Sequence, residues 1–281
     1  MHKFCLPHGP LAVRYGDEKA LEYIQKAGFQ GVEISLENAL KTGLLTGDEN
    51  VLACYCLHIK ETAKKYGLSI FNAYLPRVCE DETARKNAVK ATAWMGANLL
   101  TLCPIVLDKS ENNYQKNLRM NLEYYGVLKP EMEEFGVRIA IENRSLKSKD
   151  VWRFFAGRPS AVSSAEKLLD LRDRLGDGFC ISLDVGHAYL AEEDPAETAR
   201  LLGDALVCVR LWDTDVSEER HIAPTFGYVK WDALLTELRE LHFDGVLTLD
   251  VDLLRVGEGV ELAFVAYLGA LSAVFAGKLN Q

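Results

Sequence analysis

Short apolar or β-branched runs recur along the chain at intervals of very roughly 30 to 40 positions, and stretches with helical spacing lie between them. The short runs read as eight strands: His2–Leu6, Gly31–Ser35, Leu68–Ala73, Asn98–Cys103, Val137–Glu142, Phe179–Asp184, Val207–Trp212 and Val246–Asp250. Helical patterns cover Asp17–Ala27, Leu52–Tyr66, Thr83–Met95, Tyr114–Phe135, Ser164–Leu175, Trp231–Leu241 and Val260–Ala276. Several stop just before a glycine (Gly28, Gly67, Gly96, Gly136, Gly176), where a left-handed C-cap costs least. No Gly/Ser-rich linker or low-complexity segment interrupts the series. Eight βα units in a row predict an α/β fold, a single-domain (β/α)8 TIM barrel over residues 1–281.

Successive strand side chains point to opposite faces, so the parity of the large apolar residues marks the face that meets the helices. Strand five sets Val137, Ile139 and Ile141 against Arg138, Ala140 and Glu142; strand six sets Ile181 and Leu183 against Cys180, Ser182 and Asp184. Strand seven opposes Val207, Val209 and Leu211 to Cys208, Arg210 and Trp212, and strand eight opposes Leu247 and Leu249 to Val246, Thr248 and Asp250. In strand two, Glu33 shares a face with Gly31 and Ser35. The charged residues therefore face the barrel interior near the C-terminal strand ends, where barrel enzymes build active sites. For one such residue, a solvent-facing loop position is an equally good account. Four in phase, Glu142, Asp184, Arg210 and Asp250 at the ends of the last four strands, argue against it, because ionic side chains are almost never buried unpaired.

Composition narrows the function classes. With 48% hydrophobic and 26% charged residues in 281, the chain is globular, and a net charge of -9 argues against a nucleic-acid partner. Seven cysteines without a CxxC spacing read as reduced thiols of a cytoplasmic protein. The most apolar run, Val260 to Ala276, contains Glu261 and is shorter than the ~20 residues of a membrane span. It is expected to be a last helix packed on the core, with no membrane partner, and a candidate contact in a homo-oligomer. The longest connection, Asn143 to Ser163, mixes Arg144, Lys147, Lys149, Arg153 and Arg158 with Trp152, Phe154 and Phe155. It reads equally as a lid or as a solvated excursion.

Glu142 in IAIENR, Asp184 and His187 in SLDVGH, the segment VRLWD, His221 in HIAPTFGYVKW, and FDGVLTLD ending at Asp250 resemble the xylose isomerase-like barrel superfamily. That group includes sugar isomerases and epimerases, inosose dehydratases, hydroxypyruvate isomerases and endonuclease IV. The resemblance spans nearly the whole chain. It implies a divalent metal (Mn, Mg, Co or Zn) held by a Glu on strand five, an Asp on strand six, a His on strand seven and a Glu on strand eight. Carried over, these positions are Glu142, Asp184, Arg210 and Asp250. Arginine has no lone pair to donate, so a metal here is altered or absent. His187 and His221 match positions that contact substrate or, in the endonuclease, further zinc ions, and Glu219 with His221 echoes that enzyme's Asp-x-His pair. Asn72 and Cys103 stand near where the endonuclease has two more histidines, which argues against DNA repair.

The resemblance implies an isomerase or epimerase acting on a small polyhydroxylated carbonyl compound by proton transfer next to the carbonyl, with no nucleotide cofactor. Glu142 and Asp250 are the expected catalytic pair; Glu33, Arg144, His187, Arg210 and His221 are expected at the substrate. A dehydratase acting through the same enolate and a non-catalytic binding barrel are the alternatives. Up to four carboxylates around one arginine cannot all stay ionised without help: unit charges ~4 Å apart interact by about 4 kcal/mol near a protein surface. Arg210 could pair with two of them while another stays protonated, a metal could bind beside it, or it could swing away. The first arrangement is the expected one.

Overall fold

The computed structural model describes residues 2–76, 78–106, 114–144, 164–215, 219–257 and 259–281. Its strands are β1 (Lys3–Pro7), β2 (Gly31–Ser35), β3 (Ser69–Leu75), β4 (Leu99–Leu102), β5 (Arg138–Glu142), β6 (Phe179–Asp184), β7 (Leu206–Leu211) and β8 (Val246–Leu249). Each pairs in parallel with the next, and β8 closes on β1. The eight-strand (β/α)8 TIM barrel expected from the pattern is the fold. The expected connection after β5 lies almost wholly outside the described residues.

Strand parity separates two apolar layers. Val32, Ile34, Ile139, Ile141, Ile181, Leu183, Val209, Leu211, Leu247 and Leu249 belong to the large core shared with the helices. Cys5, Leu99, Ala140, Cys180, Cys208 and Val246, with Phe71 and Val207 against them, form a small separate cluster. All seven cysteines are free thiols.

The register slips at two places, and both matter for what lies above. Val32 pairs with Ile70 but Glu33 with Asn72, so Phe71 is an extra residue in β3. Its ring lies over Gly31, where an added Cβ would sit 1.9 Å from it. Ile181 pairs with Leu206 but Ser182 with Cys208, making Val207 an extra residue in β7. The parity reading sent Val207 toward the helices; the bulge turns it against the inner cluster instead, and Leu206 takes the outer place. Beyond the bulge Asp184 pairs with Arg210, so their strand ends are level.

The helices differ from expectation mainly by division. The single helix read over 114–135 is two, Tyr114–Gly126 and Lys129–Phe135. Pro130 lies in the first turn of the second, where its missing N–H costs nothing; inside one continuous helix it would have removed a hydrogen bond and clashed with the preceding turn. After β6 come two unanticipated helices, Val185–Leu190 and Pro195–Leu202. Asp184 and Asp194 cap them by accepting from the His187 N–H and from the Ala196 and Glu197 N–H groups. The last helix, Glu261–Leu279, is long and apolar enough to cross a membrane by length and composition alone. In the barrel it packs on its neighbours, with Phe275 stacked on Trp231 and Gly269 against the Ala27 carbonyl.

Candidate active site

The C-terminal strand ends converge on Arg210. Its Nη1 lies 2.6 Å from Glu33 Oε2, its Nη2 2.8 Å from Asp250 Oδ2, and its Nε 3.5 Å from Glu142 Oε2. The guanidinium lies 3.6 Å from the centre of the Tyr74 ring, so a π-face covers one side of its plane. Asn72 donates to Glu33 Oε2 at 2.7 Å, and the Thr248 hydroxyl lies 3.4 Å from the same oxygen. The sequence reading sets Glu33 and Arg210 against a substrate. In the structure both side chains are 0% exposed, and Arg210 directs its nitrogens at carboxylates.

Glu142 stands between two arginines. Its Oε1 accepts from Arg144 Nη1 at 3.2 Å and from the Tyr74 hydroxyl at 3.2 Å, with the Cys103 thiol 3.5 Å away. Its Oε2 accepts no hydrogen bond. Asp184 is similarly divided: Oδ1 accepts from the His187 backbone N–H at 2.8 Å and from Trp212 Nε1 at 2.7 Å, while Oδ2 is buried without a donor. Asn143 ties the strand ends together, donating to the Asp184 carbonyl and accepting from the Asp184 N–H. That clamp extends the β5–β6 ladder by a side chain where the strands separate.

The chain returns to the mouth through the segment after β7, which hangs on Asp213. This fully buried carboxylate accepts from the N–H groups of Thr214, Thr225 and Val229 and from Trp231 Nε1 at 2.7 Å. A backbone pairing of Asp213 with Ile222 brings His221 back over the barrel. His221 stacks on Trp212 at 4.1 Å between ring centres, with Nδ1 3.3 Å from Asp250 Oδ2 and Nε2 3.5 Å from Glu219 Oε1. His187 stands edge-on to the same indole and places Nε2 3.7 Å from Glu219 Oε1. Arg144, Glu219, His221 and Asp250 form a partly exposed rim over a floor of Glu33, Arg210, Glu142, Asp184 and His187.

The titration of these groups follows from their neighbours. Burial raises Glu33, although Arg210 opposes the rise. Burial, then the charge of Glu142, pushes Asp184 up to about 7. Burial acts in the same direction on Asp250, but Arg210 and His221 outweigh it and hold this carboxyl well below the usual range. For His221, burial disfavours the charged form; the Asp250 carboxylate, with hydrogen bonds to Asp250 and Glu219, overcomes it and lifts the imidazole to about 10. Arg210, Arg144 and His221 thus lie among these acids, and burial moves both Asp184 and Glu33 toward keeping a proton. The pairing of Arg210 with two carboxylates matches the first of the three arrangements expected from the sequence.

The four positions that the resemblance assigns to a divalent ion do not fit one as a set. Arg210 has no donor lone pair, and its guanidinium lies between Glu142 and Asp250. Away from the axis the donor chemistry differs. Ligand atoms of Glu142, Asp184 and His187 lie within 4.8 Å of one another, as do those of His187, Glu219 and His221.

All the site residues read from the sequence meet in this mouth. Tyr74, Asn72 and Asn143 were not assigned site roles in that reading, and Trp212, the shared neighbour of Asp184, His187 and His221, was placed only by parity. Trp212 shares the face of Arg210, which was the available signal. Tyr74 follows the Phe71 bulge, so alternation counted through β3 misplaces it.

A family model described as xylose isomerase-like TIM barrel matches residues 21–262. No curated protein matches the sequence. Among solved structures, a xylose isomerase domain protein from Alicyclobacillus acidocaldarius subsp. acidocaldarius superposes with a TM-score of 0.75 at 16% identity, covering 100% of both chains. A D-psicose 3-epimerase from Clostridium cellulolyticum H10, solved with D-tagatose, gives 0.71 at 14% identity over 97% of this chain and 98% of its own. IOLI protein, solved with a binding zinc atom, gives 0.71 at 15% identity with the same coverage.

Proposed function

The chain belongs to the xylose isomerase-like TIM barrel family, and from that premise we propose that it is an isomerase or epimerase of small sugar-like carbonyl compounds that moves a proton at the carbon beside the carbonyl. The observation that carries the reading is the convergence of Glu142, Asp184, Arg210 and Asp250 from four successive strands on one charge-compensated mouth. Solved relatives of this fold include a D-tagatose 3-epimerase-like protein and a D-psicose 3-epimerase.

Glu142 takes the proton. The oxygen that accepts no hydrogen bond is the available acceptor, while Tyr74 and Arg144 fix the other oxygen and with it the plane of the carboxylate. Removing the C–H proton leaves its electron pair on the substrate as an enolate, and returning a proton to either face or to the neighbouring carbon completes epimerisation or isomerisation. Asp250 alone is poorly suited to supply that proton, since Arg210 and His221 hold it ionised. The proton shared in the Asp250–His221 pair is the better source. Arg210 and His221 offer fixed positive charge to the developing enolate, as preorganised electrostatics does elsewhere. In this reading Arg144 and His187 bind substrate oxygens.

The test is deuterium incorporation from D2O beside the carbonyl in a panel of ketoses, inososes and keto acids, followed by NMR. The expected result is exchange with formation of an isomer or epimer, reduced by about 10²-fold or more in Glu142→Gln. A dehydrated product would assign the chain to the lyases. Ligand binding with no exchange for any compound would make it a binding protein.

A further inference from the structure

Two buried carboxylates point to a binding site that the axial position no longer provides. Glu142 commits Oε1 to Tyr74 and Arg144, and Asp184 commits Oδ1 to the His187 N–H and Trp212. The remaining oxygens, Glu142 Oε2 and Asp184 Oδ2, have no hydrogen-bond donor, and their side chains are 0% and 1% exposed. An unsatisfied buried acceptor costs about 1–3 kcal/mol, and two such acceptors on neighbouring acids add like-charge repulsion. Arg210 relieves this side only in part, through a long ion pair to Glu142 Oε2. Its shorter contacts go to Glu33 and Asp250, leaving 3.5 Å to Glu142 Oε2.

We infer that the chain binds one divalent cation off the barrel axis, on Glu142, Asp184 and His187, while Arg210 keeps the axial place. The three residues offer two oxygens and a nitrogen within 4.8 Å of one another. Ligands at about 2.0–2.2 Å from one ion stand roughly 3–4 Å apart, so modest side-chain rotations close this set. His187 lies one helical turn after Asp184, and its backbone N–H already caps on that carboxylate, which fixes where its ring can reach. Glu219, 3.5 Å from His221 and 3.7 Å from His187, is the nearest candidate for a fourth ligand. A mixed imidazole and carboxylate set suits Zn, Mn or Co better than Ca, which takes oxygen ligands throughout. The inference does not rest on the isomerase reading and competes with it at one atom, because an ion on Glu142 Oε2 would occupy the oxygen given above to the substrate proton.

Chelator-stripped full-length protein titrated with Co(II), followed by its visible absorption and by equilibrium dialysis, tests the site without any activity. One equivalent is expected, with affinity at least about tenfold weaker in Asp184→Asn and in His187→Gln, and nearly unchanged in Asp250→Asn. His187→Gln leaves the backbone N–H that bonds Asp184 in place, so far-UV circular dichroism should report a folded variant. No binding by the parent chain would overturn the inference. So would binding that survives His187→Gln but is lost in Asp250→Asn, which would return the ion to the axis.

Discussion

On the β2–β7–β8 side of the mouth, Arg210 gives Glu33 and Asp250 a cation that is part of the chain; on the β5–β6 side, Glu142 and Asp184 each keep one buried oxygen with no donor. Both halves face the same problem, acidic groups removed from water at strand ends. In the first half a fully buried guanidinium is ion-paired with both acids and covered by Tyr74 on one face, although Glu33 Oε1 there also lacks a donor. The second is satisfied on one oxygen of each acid and open on the other. A covalently attached cation neutralises permanently but allows no exchange, whereas an open pair of acids can accept a proton or an ion.

The largest effect that could break this contrast is on the arginine side. Arg210→Met should cost about 3–5 kcal/mol of unfolding free energy at pH 8, because it strands two buried carboxylates. Adding Glu33→Gln and Asp250→Asn should recover much of it in urea denaturation. A loss below about 1 kcal/mol for the single change would show that Arg210 holds nothing together.

A smaller effect comes from the His221–Asp250 pair above it. His221 has a folded-state value of about 10 against 6.5 in the unfolded chain, so the native state keeps a proton that the unfolded state loses. Its contribution is complete below about pH 6.5 and disappears as pH rises through about 10, on the order of 2–4 kcal/mol. Stability measured from pH 6 to 10.5 should fall across that window in the parent chain, and the corresponding limb should flatten in His221→Gln. Parallel curves would place the proton elsewhere.

The smallest effect sharpens the contrast from the open side. In chelator, Asp184→Asn should stay within about 1 kcal/mol of the parent or gain stability, because the amide oxygen can accept both existing bonds and the amide nitrogen can donate toward Glu142. A penalty as large as that of Arg210→Met would mean that the two halves are not different in kind.

Most of the barrel could be read from alternation, since outward Val, Ile and Leu recur with period two in β5, β6 and β8. The pattern failed where a bulge added a residue: Val207 took the wrong face, and Phe71 hid the inward turn of Tyr74. The helix read across Pro130 shows the same weakness, a smooth apolar period obscuring one residue's backbone chemistry. At the site, sequence located the charges but not their pairing. Glu33 and Arg210 are 177 positions apart, and nothing local in either strand says that they meet at 2.6 Å. The roles of Asn143 and Trp212 depend on rotamers that neighbouring strands impose, which no one-dimensional pattern carries.

The attachment of the segment after β7 to Asp213 has an evolutionary consequence. One carboxylate outside the mouth gathers Thr214, Thr225, Val229 and Trp231, and Gly227 passes so close that a Cβ would lie 2.3 Å from it. The anchor and its glycine are constrained by this crowding, while Glu219 and His221, which they suspend, turn toward the mouth. Such a segment is a natural unit of exchange. Ligand preference can drift, or be transplanted between barrels, by replacing the suspended residues while the knot that hangs them is inherited unchanged.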